Sequence, residues 1–418
     1  MKLAILSVVL LACVSLSWAA DPSAKPSAPA GPYAAYSTGP WNDPNFFPLT
    51  VWLQAPRNAQ RFKDAGINMY VGIFDGPKYE DLAAYEKAGM PVICSQTEGA
   101  LKYAKEKPNG VVVAWMHGDE PDNAQDIKNW KSIEDIQAAW PESTKKTLKE
   151  WGTYGPPIPP KTIIADYEKI KKLDPTRPVM LNLGVGVAWE KYYGRGYRTG
   201  KLEDYPEYMK GCDIVSFDIY PVVSRGEVKG NLWYVPQGVE RLRKWGAGKR
   251  IVWDCIECTH IGEPNAIASP AQIKTEVWMS LIAGSQGIIY FVHEFKPKQI
   301  EAGLLAHPEQ LRAVTEINKQ ITALAPVLNS PTVNEVSLVK SSDEKVPVSV
   351  MVKRFGDATY IFAVAMRDQE TTATFQFAKD RLPPSVLDVI GENRTVPVKN
   401  GAFEDKFKGY EVHLYKSK

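Results

Sequence analysis

The sequence predicts a (β/α)8 barrel followed by a small antiparallel β-sandwich, and two patterns lead to this prediction. Between residues 48 and 328, short apolar runs alternate with segments of helical periodicity, with Gly or Pro at many of the joints. This alternation is typical of right-handed βαβ units, and eight parallel strands are the number that closes a barrel. After residue 330, strand-like runs follow one another without a convincing helix, which indicates a sandwich.

The predicted barrel elements follow a regular order, which one long segment interrupts. Residues 122–160 break the alternation, and a loop of this length in a compact domain is usually functional. An open doubly wound sheet is the alternative fold, but no Gly-rich loop follows the first strand. The predicted strands span residues 48–53, 67–74, 91–95, 110–118, 179–183, 212–220, 250–257 and 287–293, and the predicted helices span 58–65, 79–88, 100–106, 162–173 and 308–328, with another starting at Ser269.

The chain divides into four predicted segments. Residues 1–20 combine Lys2, an apolar run and a small-x-small pattern, which together predict a secretory signal peptide. A bacterial lipoprotein site at Cys13 is the second interpretation. The expected localisation is therefore secreted or periplasmic, with a surface lipoprotein as the alternative. Residues 21–40 form a predicted disordered tether rich in Pro, Ala and Ser, residues 41–329 the barrel, and residues 330–418 the sandwich.

Composition excludes several classes of partner. The net charge of +2 gives no electrostatic reason to expect binding to nucleic acid or to a membrane surface, and no segment predicts a membrane span. The pair Cys255 and Cys258 has no second pair to complete a metal site, and it lies on a predicted strand. We therefore expect no metal and no cofactor. The 12 Trp and 19 Tyr residues favour a sugar ligand, because sugar rings stack on flat apolar faces.

The predicted fourth strand ends in the first catalytic candidates. The apolar run 111–116 is followed by His117, Gly118, Asp119 and Glu120, and the carboxyl ends of barrel strands are where active sites lie. Capping of the following helix is the alternative role for the two acids. At the end of the seventh strand, alternation places Asp254 and Glu257 on opposite faces, and Glu257 is nearer to the strand end.

Two carboxyls on opposite walls of one cleft are what hydrolysis of a glycosidic bond requires. One carboxyl protonates the leaving oxygen while the other attacks the sugar or activates water. The negative charge of Asp119 would keep the proton on Glu120, which suits Glu120 to act as the general acid. Glu257 has no acidic neighbour in the sequence, so we expect it to be ionised.

The motif around Glu120 resembles that of the large clan of retaining (β/α)8 glycoside hydrolases. Trp115 followed by Glu120-Pro121 is similar to the fourth-strand motif of the clan, and the turn at residues 174–178 is similar to one in β-galactosidase-like and mannanase-like members. This resemblance implies that Glu120 is the acid/base and Glu257 the nucleophile. In this sequence Asp119 replaces an Asn of the clan motif, and the eighth strand lacks the usual Trp.

Further residues are predicted to bind the sugar. The resemblance implies that a Tyr at the end of strand six contacts the nucleophile, which points to Tyr220 beside Asp218. The other predicted substrate-binding residues either lie near strand ends or are aromatic residues in the loops that follow. They are Trp115, His117, Asp119, Trp189, Tyr193, Trp233, Tyr290 and His293. Each could instead pack in the core.

The predicted function is an exported retaining glycoside hydrolase that cleaves a β-linked oligosaccharide or polysaccharide. Two alternatives remain open. A carbohydrate-binding barrel without activity is consistent with Asp119 and the altered eighth strand. An inverting or other hydrolase could use Glu120 with Asp254 or Glu294.

Overall fold

The computed structural model describes residues 31–378, 381–382 and 386–417 and shows a parallel barrel followed by two antiparallel sheets. The predicted fold class is confirmed. The predicted signal peptide, the candidate lipid site at Cys13 and residues 21–30 of the predicted tether lie outside the described residues. Within the described part of the chain, no helix has both the length and the apolarity needed to cross a membrane.

The barrel is closed because two consecutive strand segments together occupy its seventh position. Segment β7 pairs with β6 and segment β8 pairs with β9, and Trp253 stands between the two segments. A bridge from Asp218 to Cys255 continues the contact to β6. All pairings are parallel, and β9 pairs with β1. The strands are β1 Leu49–Trp52, β2 Met69–Val71, β3 Val92–Cys94, β4 Val112–Met116, β5 Val179–Leu183, β6 Ile214–Phe217, β7 Ile251–Val252, β8 Asp254–Glu257 and β9 Ile288–Phe291.

Helices cover the outside of the barrel. The long segment after β4 also contains short helices, and it buries tryptophans of its own. Trp140 and Trp151 of this segment are buried, and the Trp140 indole donates a hydrogen bond to the Pro157 carbonyl at 2.8 Å. The described helices are α1 Ala59–Asp64, α2 Tyr79–Ala88, α3 Glu98–Glu106, α4 Ile133–Ala139, α5 Leu148–Trp151, α6 Pro160–Leu173, α7 Tyr205–Tyr208, α8 Tyr234–Trp245, α9 Pro270–Ala283 and α10 Pro308–Leu328.

Alternating side chains along the strands form two separate cores. Met69, Ile93, Met180 and Ile289 point into the barrel, and they pack with Trp253. The strand residues that alternate with these pack against the surrounding helices, as expected for strands that are covered on both faces. The Cys255 thiol belongs to the inner core and the Cys258 thiol to the outer one, so these two cysteines lie on different faces of the strand.

The N-terminal segment closes the amino-terminal end of the barrel, and the predicted tether is therefore too long. Tyr33 is buried and stacks on Trp41 with ring centroids 4.9 Å apart. The Tyr33 hydroxyl donates to the Gln286 carbonyl at 2.7 Å and accepts from the Trp253 indole at 2.7 Å. Aromatic side chains with a polar atom can be buried when that atom has a hydrogen-bond partner, as Tyr33 is here. The Pro-rich composition of the segment therefore did not indicate the residue at which it begins to pack on the barrel.

The C-terminal region is a sandwich of a three-stranded and a five-stranded antiparallel sheet. Their strand orders are β10-β13-β16 and β11-β12-β17-β14-β15. The sandwich packs on helix α9, where Trp278 stacks on Phe362 at 5.4 Å and Thr275 donates to the Tyr410 carbonyl. The strands are β10 Val336–Ser341, β11 Val348–Phe355, β12 Ala358–Ala365, β13 Thr371–Phe377, β14 Val386–Val389, β15 Arg394–Pro397, β16 Ala402–Phe407 and β17 Val412–Ser417.

The substitution Tyr33→Phe should destabilise the protein by about 1–3 kcal/mol, because it leaves the buried Trp253 N–H without an acceptor. Urea denaturation measures this change in the free energy of unfolding. Tyr154→Phe is the matched control, since Tyr154 is exposed and the substitution removes the same hydroxyl group. Equal midpoints for the two variants would contradict the assigned role of Tyr33.

Candidate active site

Three carboxyl groups converge at the carboxyl-terminal end of the barrel. Asp119 and Glu120 follow β4, and Asp218 follows β6. Asn182, the penultimate residue of β5, donates from one amide nitrogen to Asp119 Oδ1 at 2.8 Å and to Asp218 Oδ1 at 3.2 Å. The Ser216 hydroxyl donates to the side-chain oxygen Oδ1 of Asn182 at 2.6 Å and thereby fixes the orientation of the amide. A single amide therefore holds two of the acids together.

The Glu120 backbone adopts a conformation that few non-glycine residues adopt. Its φ is +41°, which lies in the left-handed region, and such strained residues cluster at functional sites. The Glu120 carboxylate accepts a hydrogen bond from the Asn123 amide at 2.8 Å. Asn123 approaches so near to Gly184 that a Cβ there would lie 2.7 Å from its side chain, so this contact requires glycine.

A buried ion pair supports the loop that carries Glu120. Asp122 is fully buried and accepts from the Gly184 amide at 2.8 Å and from the Tyr205 hydroxyl at 3.0 Å. The fully buried Arg195 lies 3.9 Å from Asp122 and binds Asp204 at 2.8 Å. Buried charges are tolerated only when they are paired and hydrogen-bonded, so these contacts fix the loops after β4 and β5 relative to each other.

Burial and neighbouring negative charges raise the pKa values of the three acids. Burial is the largest cause of the raised pKa of Glu120, followed by the negative charges of Asp218 and Asp119. Burial and the charge of Asp218 also raise the pKa of Asp119, and burial raises that of Asp218. The expected effect of Asp119 on Glu120 is therefore present, although burial and Asp218 act more strongly. Glu120 is the group most disposed to carry a proton near neutral pH.

Two tyrosines lie beside this cluster. The charge of Glu120 contributes to the raised pKa of both Tyr192 and Tyr220, after the larger effect of burial. Tyr220 also lies next to Asp218, and its ring packs on Phe291 at 5.3 Å. Both tyrosines are partly exposed, so they can line the mouth of the barrel.

Glu257 occupies a different environment from the one the sequence suggested. Its exposed fraction is 0%, and its two oxygens accept from the Val222 amide at 2.6 Å and the Val223 amide at 2.9 Å. Burial raises the pKa of Glu257 to about 7, although the hydrogen bonds from the two amides and from the Glu276 carboxyl lower it. Glu276, a residue of α9 that is distant in sequence, is thus an acidic neighbour that the sequence analysis missed.

Asp254 and Glu294 are the alternative partners that the sequence offers for Glu120. Asp254 is on the opposite strand face from Glu257, as expected, and is fully buried near Ser280 of α9. Glu294 is also buried and lies 2.7 Å from His307. The charges that raise the pKa of Glu120 are instead those of Asp218, Asp119 and Asp122.

Several predicted sugar-binding residues lie in the barrel wall, which corrects their assignment to the mouth. Trp115 is fully buried and donates to Asp174 at 3.0 Å, and Tyr290 is fully buried and donates to Asn318 at 2.8 Å. His117 is buried against the Gly211 carbonyl at 2.8 Å. These three residues follow the strand alternation and face the surrounding helices. His293 is buried at the carboxyl-terminal end of the barrel, and its Nε2 lies 3.0 Å from the Trp52 carbonyl.

The remaining predicted aromatics lie on loops around the mouth. Tyr193 is 80% exposed and packs near Tyr192, whose ring also contacts Trp189. The Trp189 indole donates to Glu227. Trp233 stacks on Tyr234 at 4.1 Å, and the guanidinium of Arg367 lies 4.9 Å from its ring. Tyr193 is thus the most accessible of the predicted stacking residues.

Comparisons with known proteins identify a fold class but no family. No protein-family model matches the chain, and no curated protein matches it. Among solved structures, the α-amylase from Geobacillus thermoleovorans in complex with acarbose has a TM-score of 0.50 and 11% identity, over 90% of this chain and 98% of that one.

A catalytic mutant of a GH42 β-galactosidase from G. stearothermophilus has a TM-score of 0.52 and 8% identity, over 89% of this chain and 98% of that one. At such low identity these likenesses show the fold. The chain is therefore a (β/α)8-barrel protein with an acidic site at the usual end of the barrel.

The substitution Asp119→Asn should lower the pKa of Glu120, because it removes a neighbouring negative charge. If Glu120 acts as a general acid, the alkaline limb of the kcat/KM profile should move to lower pH by roughly one unit. Hydrolysis rates measured between about pH 5 and 10 test this on an oligosaccharide, whose leaving group needs a proton. Asp64→Asn, an exposed residue of α1, is the matched control. A shift to higher pH would contradict the electrostatic coupling.

Proposed function

We propose that this protein is a glycoside hydrolase and that Glu120 is its general acid. The observation that carries the proposal is the partly exposed Glu120, held at a strained backbone position among Asp119 and Asp218 at the carboxyl-terminal end of the barrel. Burial and neighbouring charges keep its proton on at neutral pH, as protonation of a leaving oxygen requires. The α-amylase and the β-galactosidase of similar fold support this reaction class.

The identity of the second carboxyl distinguishes two versions of the mechanism. Glu257 is proposed because its position at the end of β8 matches the nucleophile of the retaining clan. Asp218 is proposed because it is partly exposed and its charge is the largest electrostatic influence on Glu120. In the described conformation Glu257 has no accessible surface, so its attack on a sugar requires that its bonds to Val222 and Val223 open.

If Asp218 is the partner, Glu257 has a positioning role. Its two hydrogen bonds hold residues 222–223, which follow Tyr220 after Pro221 and thereby orient the segment that begins at Asp218. If Glu257 is the nucleophile, Asp218 instead tunes the protonation of Glu120. In either version the substrate is an oligosaccharide or polysaccharide, and a β-linkage and export of the protein remain proposals from the sequence. Tyr192, Tyr193 and Tyr220 are proposed to contact the sugar.

The substitution Glu120→Gln tests the proposed reaction. It should lower kcat on natural glycans by about 10²–10⁴-fold, and much less on aryl glycosides whose leaving group needs no proton. A glycan panel and a series of aryl leaving groups provide the measurement. Glu168→Gln on the exposed face of α6 is the matched control. Unchanged turnover of natural glycans would refute the role of Glu120. If the wild-type protein binds glycans but hydrolyses none, the binding-protein alternative is supported.

Azide rescue identifies the second carboxyl. An Ala substitution of the nucleophile removes the covalent intermediate, and azide then attacks the sugar directly to give a glycosyl azide of inverted configuration. Rescue of Glu257→Ala alone would assign the nucleophile to Glu257, and rescue of Asp218→Ala alone would assign it to Asp218. Loss of activity in both variants without rescue, together with inverted product from the wild type, would replace the retaining mechanism with an inverting one.

A further inference from the structure

Three side chains that are distant in sequence meet next to the carboxyl-terminal end of β9. His260 lies in the loop after β8, Glu294 follows β9, and His307 directly precedes α10. One nitrogen or oxygen atom from each of them lies within 4.8 Å of the other two. Two imidazoles and one carboxylate are a ligand set that binds zinc and related divalent transition metals.

The orientation of His260 leaves one ring nitrogen available. Its Nδ1 lies 2.9 Å from the Ala266 carbonyl, and a carbonyl oxygen can only accept, so Nδ1 carries the hydrogen. The lone pair of Nε2 is then free. Histidines that bind metals usually donate their other N–H to a carbonyl or a carboxylate in this way, which fixes the ring and its tautomer.

The separation between the ligand atoms fits a small cation. With metal–ligand bonds of about 2.0–2.1 Å in a tetrahedral site, two ligand atoms lie roughly 3.3 Å apart. His307 Nε2 is 2.7 Å from Glu294 Oε2, and the whole set lies within 4.8 Å, so the expected spacing falls between the two values. Side-chain rotations that change these separations by at most about 1.5 Å would bring all three atoms to bonding distance.

Main-chain contacts hold two of the ligands near each other independently of any ion. A bridge joins Ile261 to Glu294, and the Phe295 amide donates to the Ile261 carbonyl at 2.6 Å. Glu294 is only 4% exposed, and a Cβ at Gly303 would lie 3.0 Å from its Oε2. A buried carboxylate in a fixed position next to two partly exposed imidazoles is preorganised for a cation.

We propose that His260, Glu294 and His307 bind one Zn²⁺ ion, which joins the loop after β8 and the start of α10 to the end of β9. Water would complete the coordination of the ion. The proposed role is to stabilise the loops at this side of the barrel. It does not depend on the proposed hydrolase activity, because none of the three ligands belongs to the cluster of Asp119, Glu120 and Asp218.

Zinc titration of the full chain tests the proposal. The protein is prepared without a polyhistidine tag, stripped with a chelator, and titrated with ZnCl₂ against a chromophoric chelator. We expect about one equivalent to bind and the melting temperature to rise. His260→Gln, Glu294→Gln and His307→Gln should each weaken binding at least about tenfold. His413→Gln is the matched control, because His413 also pairs with a glutamate, Glu392, at 2.6 Å.

The absence of stoichiometric zinc binding to the wild type would overturn the proposal. Binding that survives all three ligand substitutions, or that His413→Gln weakens equally, would overturn it as well. The visible spectrum of the Co²⁺-loaded wild type provides a measurement that needs no variant to fold. Bands typical of a four- or five-coordinate site with nitrogen ligands support the proposal, whereas the spectrum of hydrated Co²⁺ contradicts it.

Discussion

The buried pair of Asp122 and Arg195 is the constraint on which the candidate site depends. Arg195 has no access to water and donates to main-chain carbonyls as well as to Asp204, so its charge must be satisfied within the protein. Removing Arg195 would leave the buried Asp122 carboxyl without its cationic partner, and such a loss typically costs about 3–5 kcal/mol. Since Asp122 is two residues after Glu120, this pair also fixes the backbone that presents Glu120 in its left-handed conformation.

The site concentrates negative charge, and the surrounding structure partly offsets the repulsion. The Asn182 amide neutralises none of the charge, but its hydrogen bonds stabilise the ionised forms of Asp119 and Asp218. Glu120 receives a single side-chain donor, Asn123, and its pKa is raised further than that of Asp119. Acids in one small volume therefore differ in proton affinity because burial, neighbouring charges and hydrogen-bond donors act on each of them to a different extent, which is how acid and base roles become separated at one pH.

The sequence predicted the barrel, the sandwich and the location of Glu120 because these depend on local patterns. Apolar runs mark the strands, and the run before His117 ends where the ionisable residues begin. The direction of the individual side chains was harder to predict. Trp115 and Tyr290 lie near strand ends, but the alternation of side chains along each strand directs them towards the helices. The two-residue period of a strand, applied to each strand in turn, predicts this direction.

Other features depend on contacts between residues that are far apart in the chain. The pairing of Glu276 with Glu257 requires the register of α9 against β8, and the meeting of His260, Glu294 and His307 requires the packing of three separate loops. Neither has a motif with fixed spacing. The role of Asn182 could have been predicted, because it is a polar residue within the apolar run of residues 179–183. A buried amide needs hydrogen-bond partners, so its presence there indicates other polar groups nearby.

The position of Tyr33 also determines on which side of the barrel the protein can be immobilised or fused to another protein. It lies at the amino-terminal end of the barrel, beside Gln286, and Gly31 is joined to it by a short turn. The Asp119–Glu120–Asp218 cluster lies at the other end of the strands. A surface, fusion partner or resin linked through residue 31 would therefore be joined on the side away from this cluster. The carboxyl-terminal end of the barrel would then stay accessible to a long polymer chain.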